Sequence, residues 1–204
     1  ESTHGLLEEE DISPGQLRQL LRLVLHHQLA HAKSPKLLLQ VLNTMSRRTR
    51  SPVQVDMLVR RGGVSVLTME SIPYVIAKSA LTVPEKLKWL QAIANNGPLR
   101  SHFDFNRPVG TEGNLVINSY VKLHICDITW YEYLILDLKL AVNTMIRNKT
   151  LVDYVLIDRA NQEKQTDNRE GSRAKKSDHP PPFTIKLLDL LAHCGGKTST
   201  EMRQ

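Results

Sequence analysis

The feature that most constrains this chain is a repeated helix-start signal, a capping residue followed closely by proline. Ser13-Pro14-Gly15-Gln16 is its first occurrence. A serine at the N-cap accepts a bond from an otherwise unpaired backbone N–H, proline suits the first helical position, and Gln16 can close the box from the other side. Leu17, Leu20, Leu21 and Val24 follow at helical spacing, with Arg18 and Arg22 one turn apart beside them. Ser34-Pro35 opens a second helix carrying Leu37, Leu38, Val41, Leu42 and Met45. Ser51-Pro52 opens a third, with Val55, Leu58 and Val59 inward, and Gly62-Gly63 ends it. A helix restarts around Ile72-Pro73. Thr82-Val83-Pro84-Glu85 is a further capping box, followed by Leu87, Leu90, Ile93 and Ala94, with Trp89 at the helix edge and a stop at Asn95-Asn96-Gly97-Pro98. The Ser-Pro pairs are unevenly spaced, so they mark short helices with tight connections and not a true repeat.

Beyond residue 97 the pattern changes. Gly97, Pro98, Pro108, Gly110 and Gly113 mark a long loop. Leu115, Ile117, Val121, Leu123 and Ile125 then alternate with polar residues, which predicts a strand or hairpin. Thr129 with Glu132 starts a longer helix through about residue 147, and Leu151 to Ile157 is β-branched enough for a strand or a helix extension. Residues 158–182 are polar and end in Pro180-Pro181-Pro182, the composition of a linker. Thr184 caps a last amphipathic helix through about His193, ended by Gly195-Gly196. A helix this short does not stand alone in water, so Leu187, Leu188 and Leu191 are expected to dock on the body or on a partner. The fold class expected is mostly α (α+β): an N-terminal bundle of short helices, a small strand–helix unit and a C-terminal amphipathic helix. The corresponding layout is an acidic arm at 1–12, a helical basic subdomain at 13–96, a small α/β subdomain at 97–157, a linker at 158–182, and a docking helix with its tail at 183–204.

Charge narrows the function. The net charge is +6 over 204 residues, but residues 1–13 carry −5 and the rest +11. Within residues 14–61, nine Lys and Arg stand against Asp56 alone. A field of that sign attracts polyanions. The run Ser46-Arg47-Arg48-Thr49-Arg50-Ser51 joins two predicted helices, Arg60 and Arg61 close the second of them, and Lys33 and Lys36 flank the previous turn. Guanidinium forks match phosphate oxygens in two-point contacts. Arg47, Arg48, Arg50, Arg60, Arg61, Lys33 and Lys36 are therefore the candidate polyanion-binding residues, expected to converge if three helices pack side by side. Aromatics are scarce, at 5%, which disfavours base-stacking readers and favours phosphate-backbone or anionic-lipid contact. Arg173-Ala174-Lys175-Lys176 is a second, smaller basic cluster.

The residues suggest no catalysis. Gly196-Lys197-Thr198 lacks the glycine a phosphate-cradling loop needs at position 191, which is Leu, and it follows a helix instead of opening one. Cys126 lies near His124 without a surrounding motif, so it is expected to be a buried structural thiol. Cys126 and Cys194 make no disulfide framework and read as free thiols of a reducing compartment. His27 and His31, one turn apart beside His26, have a spacing that can hold a metal. The sequence offers no third ligand nearby, so a solvated or partner-facing histidine edge is the expectation, with no metal and no cofactor. Asn148-Lys149-Thr150 is a glycosylation sequon of the kind that recurs by chance. No apolar run is long enough to span a bilayer, and Glu1 to Asp11 do not read as a signal peptide.

The sequence thus points to a non-enzymatic structural or assembly protein, cytoplasmic or nuclear. It would bind nucleic acid, a ribonucleoprotein or an anionic membrane surface, and self-associate or hold a protein partner. Viral matrix and nucleocapsid-associated proteins work in this way, an analogy of class only. The rival expectation is a protein–protein scaffold whose helical groove and C-terminal helix bind a partner.

Overall fold

The computed structural model describes residues 13–31, 34–48, 54–61, 64–97, 105–106, 113–167 and 180–204. The chain divides into two compact units, Glu1–Asp104 and Phe105–Gln204. The described residues are mostly helical, with two small two-stranded sheets, as the α+β expectation requires. The expected subdomain at 97–157, from residue 105 onward, and the helix at 183–204 belong to one unit.

In the first unit, α1 (Pro14–Ala30) begins on the box read from the sequence. Gln16 N–H donates to Ser13 Oγ at 3.3 Å and Ser13 N–H to Gln16 Oε1 at 2.9 Å. α1 buries Leu21, Val24 and Leu25 and packs on α2 (Lys36–Arg48), which buries Leu38, Val41, Leu42 and Met45. Each such side chain contributes about 1.5–3 kcal/mol when fully removed from water. The third helix is not there. Gln54–Arg61 is a strand, β1, antiparallel to β2 (Val64–Ser71), in register from Gln54↔Ser71 to Arg61↔Val64. Positions 61 and 64 pair, so two residues separate the strands. Gly62-Gly63 between β-branched runs is a hairpin signal, and it overrode the helix-stop reading. An isolated two-stranded ribbon is marginal in water. This one packs on α1 and runs directly into α3 (Ile72–Lys78), which is buried from Ile72 through Ala77. α4 (Val83–Ala94) starts at the second box, with Thr82 N–H and Oγ1 each 2.8 Å from Glu85 Oε2. Trp89 lies in the core at 2% exposure, not at the edge.

The second unit departs further from expectation. Leu115–Val121 is a helix, α5, not a strand. The alternation misled because both residue classes are inside: Leu115 through Tyr120 are all buried. Its polar residues are buried through local bonds, Asn118 Nδ2 to Asn114 C=O at 2.8 Å and Ser119 Oγ to Leu115 C=O at 2.7 Å. Asn114 caps the helix and binds Ala141 C=O through Nδ2 at 2.7 Å. The long helix expected through residue 147 is short. α6 (Ile128–Glu132) passes into one π turn at Tyr133–Asp137 and stops where Lys139 adopts φ 57°. A tight hairpin follows, β3 (Met145–Ile146) and β4 (Lys149–Thr150), turning on Arg147 and Asn148 at φ 50° and 60°.

The expected strand at Leu151 is the first turn of α7 (Leu151–Asp167). Thr150 and Asp153 box its start: Thr150 N–H donates to Asp153 Oδ2 at 2.8 Å and Asp153 N–H to Thr150 Oγ1 at 3.4 Å. Residues 158–167 of the expected linker therefore belong to α7, where Arg159 and Glu163 are exposed and paired at 3.0 Å while Gln162 is buried and accepts from Thr184 Oγ1 at 3.1 Å. Residues 168–179, including the cluster at 173–176, lie outside the described residues. α8 (Pro181–His193) packs on α7 and α6 and buries Phe183, Leu187 and Leu191. It ends as the glycine pair implied: Gly195 takes φ 72°, its N–H donates to Ala192 C=O at 3.3 Å, and Gly196 N–H to Leu191 C=O at 2.7 Å. The tail is then held by Ser199 N–H on Asp153 Oδ2 at 2.9 Å and Lys197 N–H on Asn143 Oδ1 at 2.7 Å.

Candidate functional site

Within the first unit, residues 13–104 hold thirteen Lys and Arg against four Asp and Glu, and residues 1–12 add five carboxylates; residues 105–204 hold fourteen against twelve. Arg22, Lys36 and Arg47 are exposed on the outer faces of α1 and α2. Lys36 and Arg47 stand at opposite ends of α2, about 16 Å apart along an axis that rises about 1.5 Å per residue. Arg48 ends the same helix, Lys33 and Arg50 lie outside the described residues, and positions 60 and 61 end β1. Adjacent strand positions belong to opposite faces of a sheet, so these two do not share one face as two residues of a helix end could. The single convergent patch was built on a third helix and loses that support. What remains among the described side chains is Arg22 exposed on α1 and Lys36 and Arg47 exposed on α2.

The same unit has an apolar cleft of about 290 Å³ between the C-terminal part of α1 and α3. Leu25, Leu29, Val75 and Ala80 give its apolar lining, and His26 and Lys78 are its exposed cationic or imidazole members. On α4, burial pushes the Lys86 ammonium below its usual range. His27 and His31 are exposed, with ring centres 4.8 Å apart.

In the second unit Leu187 and Leu191 are fully buried, so this chain's own α6 and α7 occupy the face expected to hold a partner. Leu188 is half-buried, and Ile185 is exposed. Cys126 is exposed on a loop, not buried in a strand, and its thiol faces the His124 backbone carbonyl at 3.3 Å. It lines a cleft of about 350 Å³ with Asp127, Phe183 and Lys186. Asp127 is already the cap of α6, accepting from Thr129 N–H at 2.9 Å and Oγ1 at 2.7 Å. Tyr120 donates to Asp158 Oδ2 at 2.7 Å. Burial first, and that bond second, hold its phenol far above the ordinary tyrosine range.

Among the described residues no three His, Cys, Asp or Glu side chains gather in a metal-holding group, and no helix is long and apolar enough to cross a membrane. No protein-family model matches the chain, and no curated protein or solved structure matches it.

Proposed function

We propose that the chain is a non-enzymatic structural or assembly protein whose N-terminal unit binds a polyanion along the outer surface of α1 and α2. The observation that carries this reading is the exposure of Arg22, Lys36 and Arg47 in a segment, residues 14–61, that contains one carboxylate against nine Lys and Arg. Exposed cations keep their field available to an incoming phosphate backbone or anionic lipid surface. Spacing along a helix suits a repeating ligand better than a single phosphate. Each phosphate neutralised adds roughly 0.9 to the salt slope on duplex DNA. Binding to RNA, duplex DNA and anionic liposomes should therefore weaken steeply between about 50 and 300 mM salt. Arg47→Glu should lower both affinity and slope. A flat salt response on all three ligands would end the proposal.

The α1–α3 cleft favours a second reading, a protein–protein scaffold. There, Ala30→Glu would abolish capture of a partner while Arg47→Glu would leave it intact. Removal of residues 183–204 does not separate the readings, because it strips Leu187 and Leu191 from the second unit's core.

A further inference from the structure

The end of α1 holds two imidazoles in a geometry that neither reading uses. His27 lies in the last turn of the helix and His31 is its C-cap. Their ring centres are 4.8 Å apart and their planes are tilted by 56°. Both side chains are exposed. Positions i and i+4 share one helix face, so the backbone already brings the two rings together and an incoming ligand need not order them.

That separation is the one a chelate requires. With metal–nitrogen bonds of about 2.0–2.1 Å, a metal ion stands about 3 Å from each ring centre. A ligand–metal–ligand angle between square-planar and tetrahedral then places the centres about 4.5–5 Å apart. The electrostatics also suit a cation, since the C-terminal end of a helix carries partial negative charge from unsatisfied carbonyls. Imidazole nitrogen selects borderline ions such as zinc, copper and nickel over calcium or magnesium.

We propose that His27 and His31 form a two-nitrogen site for a divalent transition-metal ion of the zinc, nickel or copper class, with water completing the coordination. His26, the next residue round the helix, belongs to the cleft and not to this chelate. With two protein ligands the site is open and exchangeable, unlike a closed four-ligand structural site. Occupancy pins the last turn of α1, because a ligand that binds only the folded state stabilises it by mass action.

The test is calorimetric titration of the full chain with zinc chloride in a non-chelating buffer, paired with copper(II) broadening of the histidine ring protons. One ion per chain should bind, with micromolar affinity. His27→Ala and His31→Ala should each weaken binding at least about tenfold, the effect of losing about 1.4 kcal/mol. His26→Ala should leave it within twofold, and copper should broaden the His27 and His31 signals together. Saturating zinc should raise the melting temperature of the unmodified chain and not of the His27→Ala, His31→Ala double variant. All three positions are exposed, so the variants keep the fold, checked by circular dichroism. No binding at millimolar zinc, an affinity indifferent to His27→Ala, or a loss on His26→Ala equal to the other two would overturn the site.

Discussion

Ser119→Ala is the sharpest probe of how the second unit is held. Ser119 is fully buried on α5, and its hydroxyl works in two directions. It accepts from Trp130 Nε1–H at 2.9 Å and donates to Leu115 C=O at 2.7 Å. Trp130 is itself completely buried, so its N–H has no solvent to turn to. Alanine keeps the helix and leaves almost no cavity, while Leu115 C=O keeps its place in the helical ladder. The main cost is the orphaned indole donor, about 1–3 kcal/mol. For a unit of 100 residues, that is about 5 °C of melting temperature per kcal/mol. Trp130→Phe removes the donor at the separate expense of a cavity. If the reasoning is right, Ser119→Ala costs much less in the Trp130→Phe background, leaving a coupling of about 1–2 kcal/mol. Urea unfolding followed by far-ultraviolet circular dichroism, with the two units fitted as separate transitions, measures all four corners of the cycle. Equal cost of Ser119→Ala in both backgrounds would refute the assignment of the energy to this bond.

Gly113→Ala should destabilise the same unit by about 2–4 kcal/mol, because Gly113 has φ 66° and an added Cβ would stand 2.6 Å from Ile117 Cγ2 and 2.7 Å from Ile146 Cγ1; thermal melting reads it, and a shift below about 2 °C would contradict the packing. Lys139→Gly should act in the opposite sense, adding about 0.5–1 kcal/mol, since Lys139 closes the π turn at φ 57° where glycine is unstrained. Asp153→Asn should cost about 1 kcal/mol through loss of the α7 cap and loosen the tail. Partial burial opposes ionisation of Asp153, but bonds from Thr150 and Ser199 outweigh it and hold its carboxyl below the ordinary range. Its folded-state value is depressed, so its contribution is complete above the unfolded value near 4 and drains away as pH falls through the folded one. Acid unfolding of the Asn variant should therefore lose part of its slope below pH 4, and an unchanged acid limb would count against this linkage.

The sequence was legible at three boundaries where one local interaction decided the outcome. Ser13 with Gln16, Thr82 with Glu85, and Gly195 with Gly196 each produced the boundary that short-range bonding dictates. It was misleading where the deciding contact lay elsewhere. Residues 115–121 look like a half-buried strand only if the polar residues face water. Here Asn118 Nδ2 and Ser119 Oγ donate to carbonyls of their own helix and Trp130 supplies a donor from the next one, so the whole segment can be inside. The readable clue was Asn114, whose Oδ1 takes Val116 N–H at 3.2 Å, since an asparagine ahead of an apolar run is a helix start. Thr150 with Asp153 was the equivalent clue for α7.

The candidate site was less legible than the fold, because charge was read through an assumed helix. A helix gathers residues from one end onto one rim; a strand deals consecutive residues to opposite faces. Recasting residues 54–61 as β1 therefore changes how the expected polyanion would be held as well as the topology. A tight arginine cluster would have suited one phosphate group or a phosphorylated peptide. Cations about 16 Å apart on a helix that buries its other side suit a ligand whose charge repeats over comparable distances, a nucleic-acid backbone or a lipid surface. The two can be told apart by a competitor that is charged but short. Inorganic phosphate or a dinucleotide at millimolar concentration should displace the ligand from a compact cluster and leave it on an extended surface, since the long ligand retains its other contacts when one is lost. Displacement by the short competitor would restore the convergent patch and remove the case for a surface read along α1 and α2.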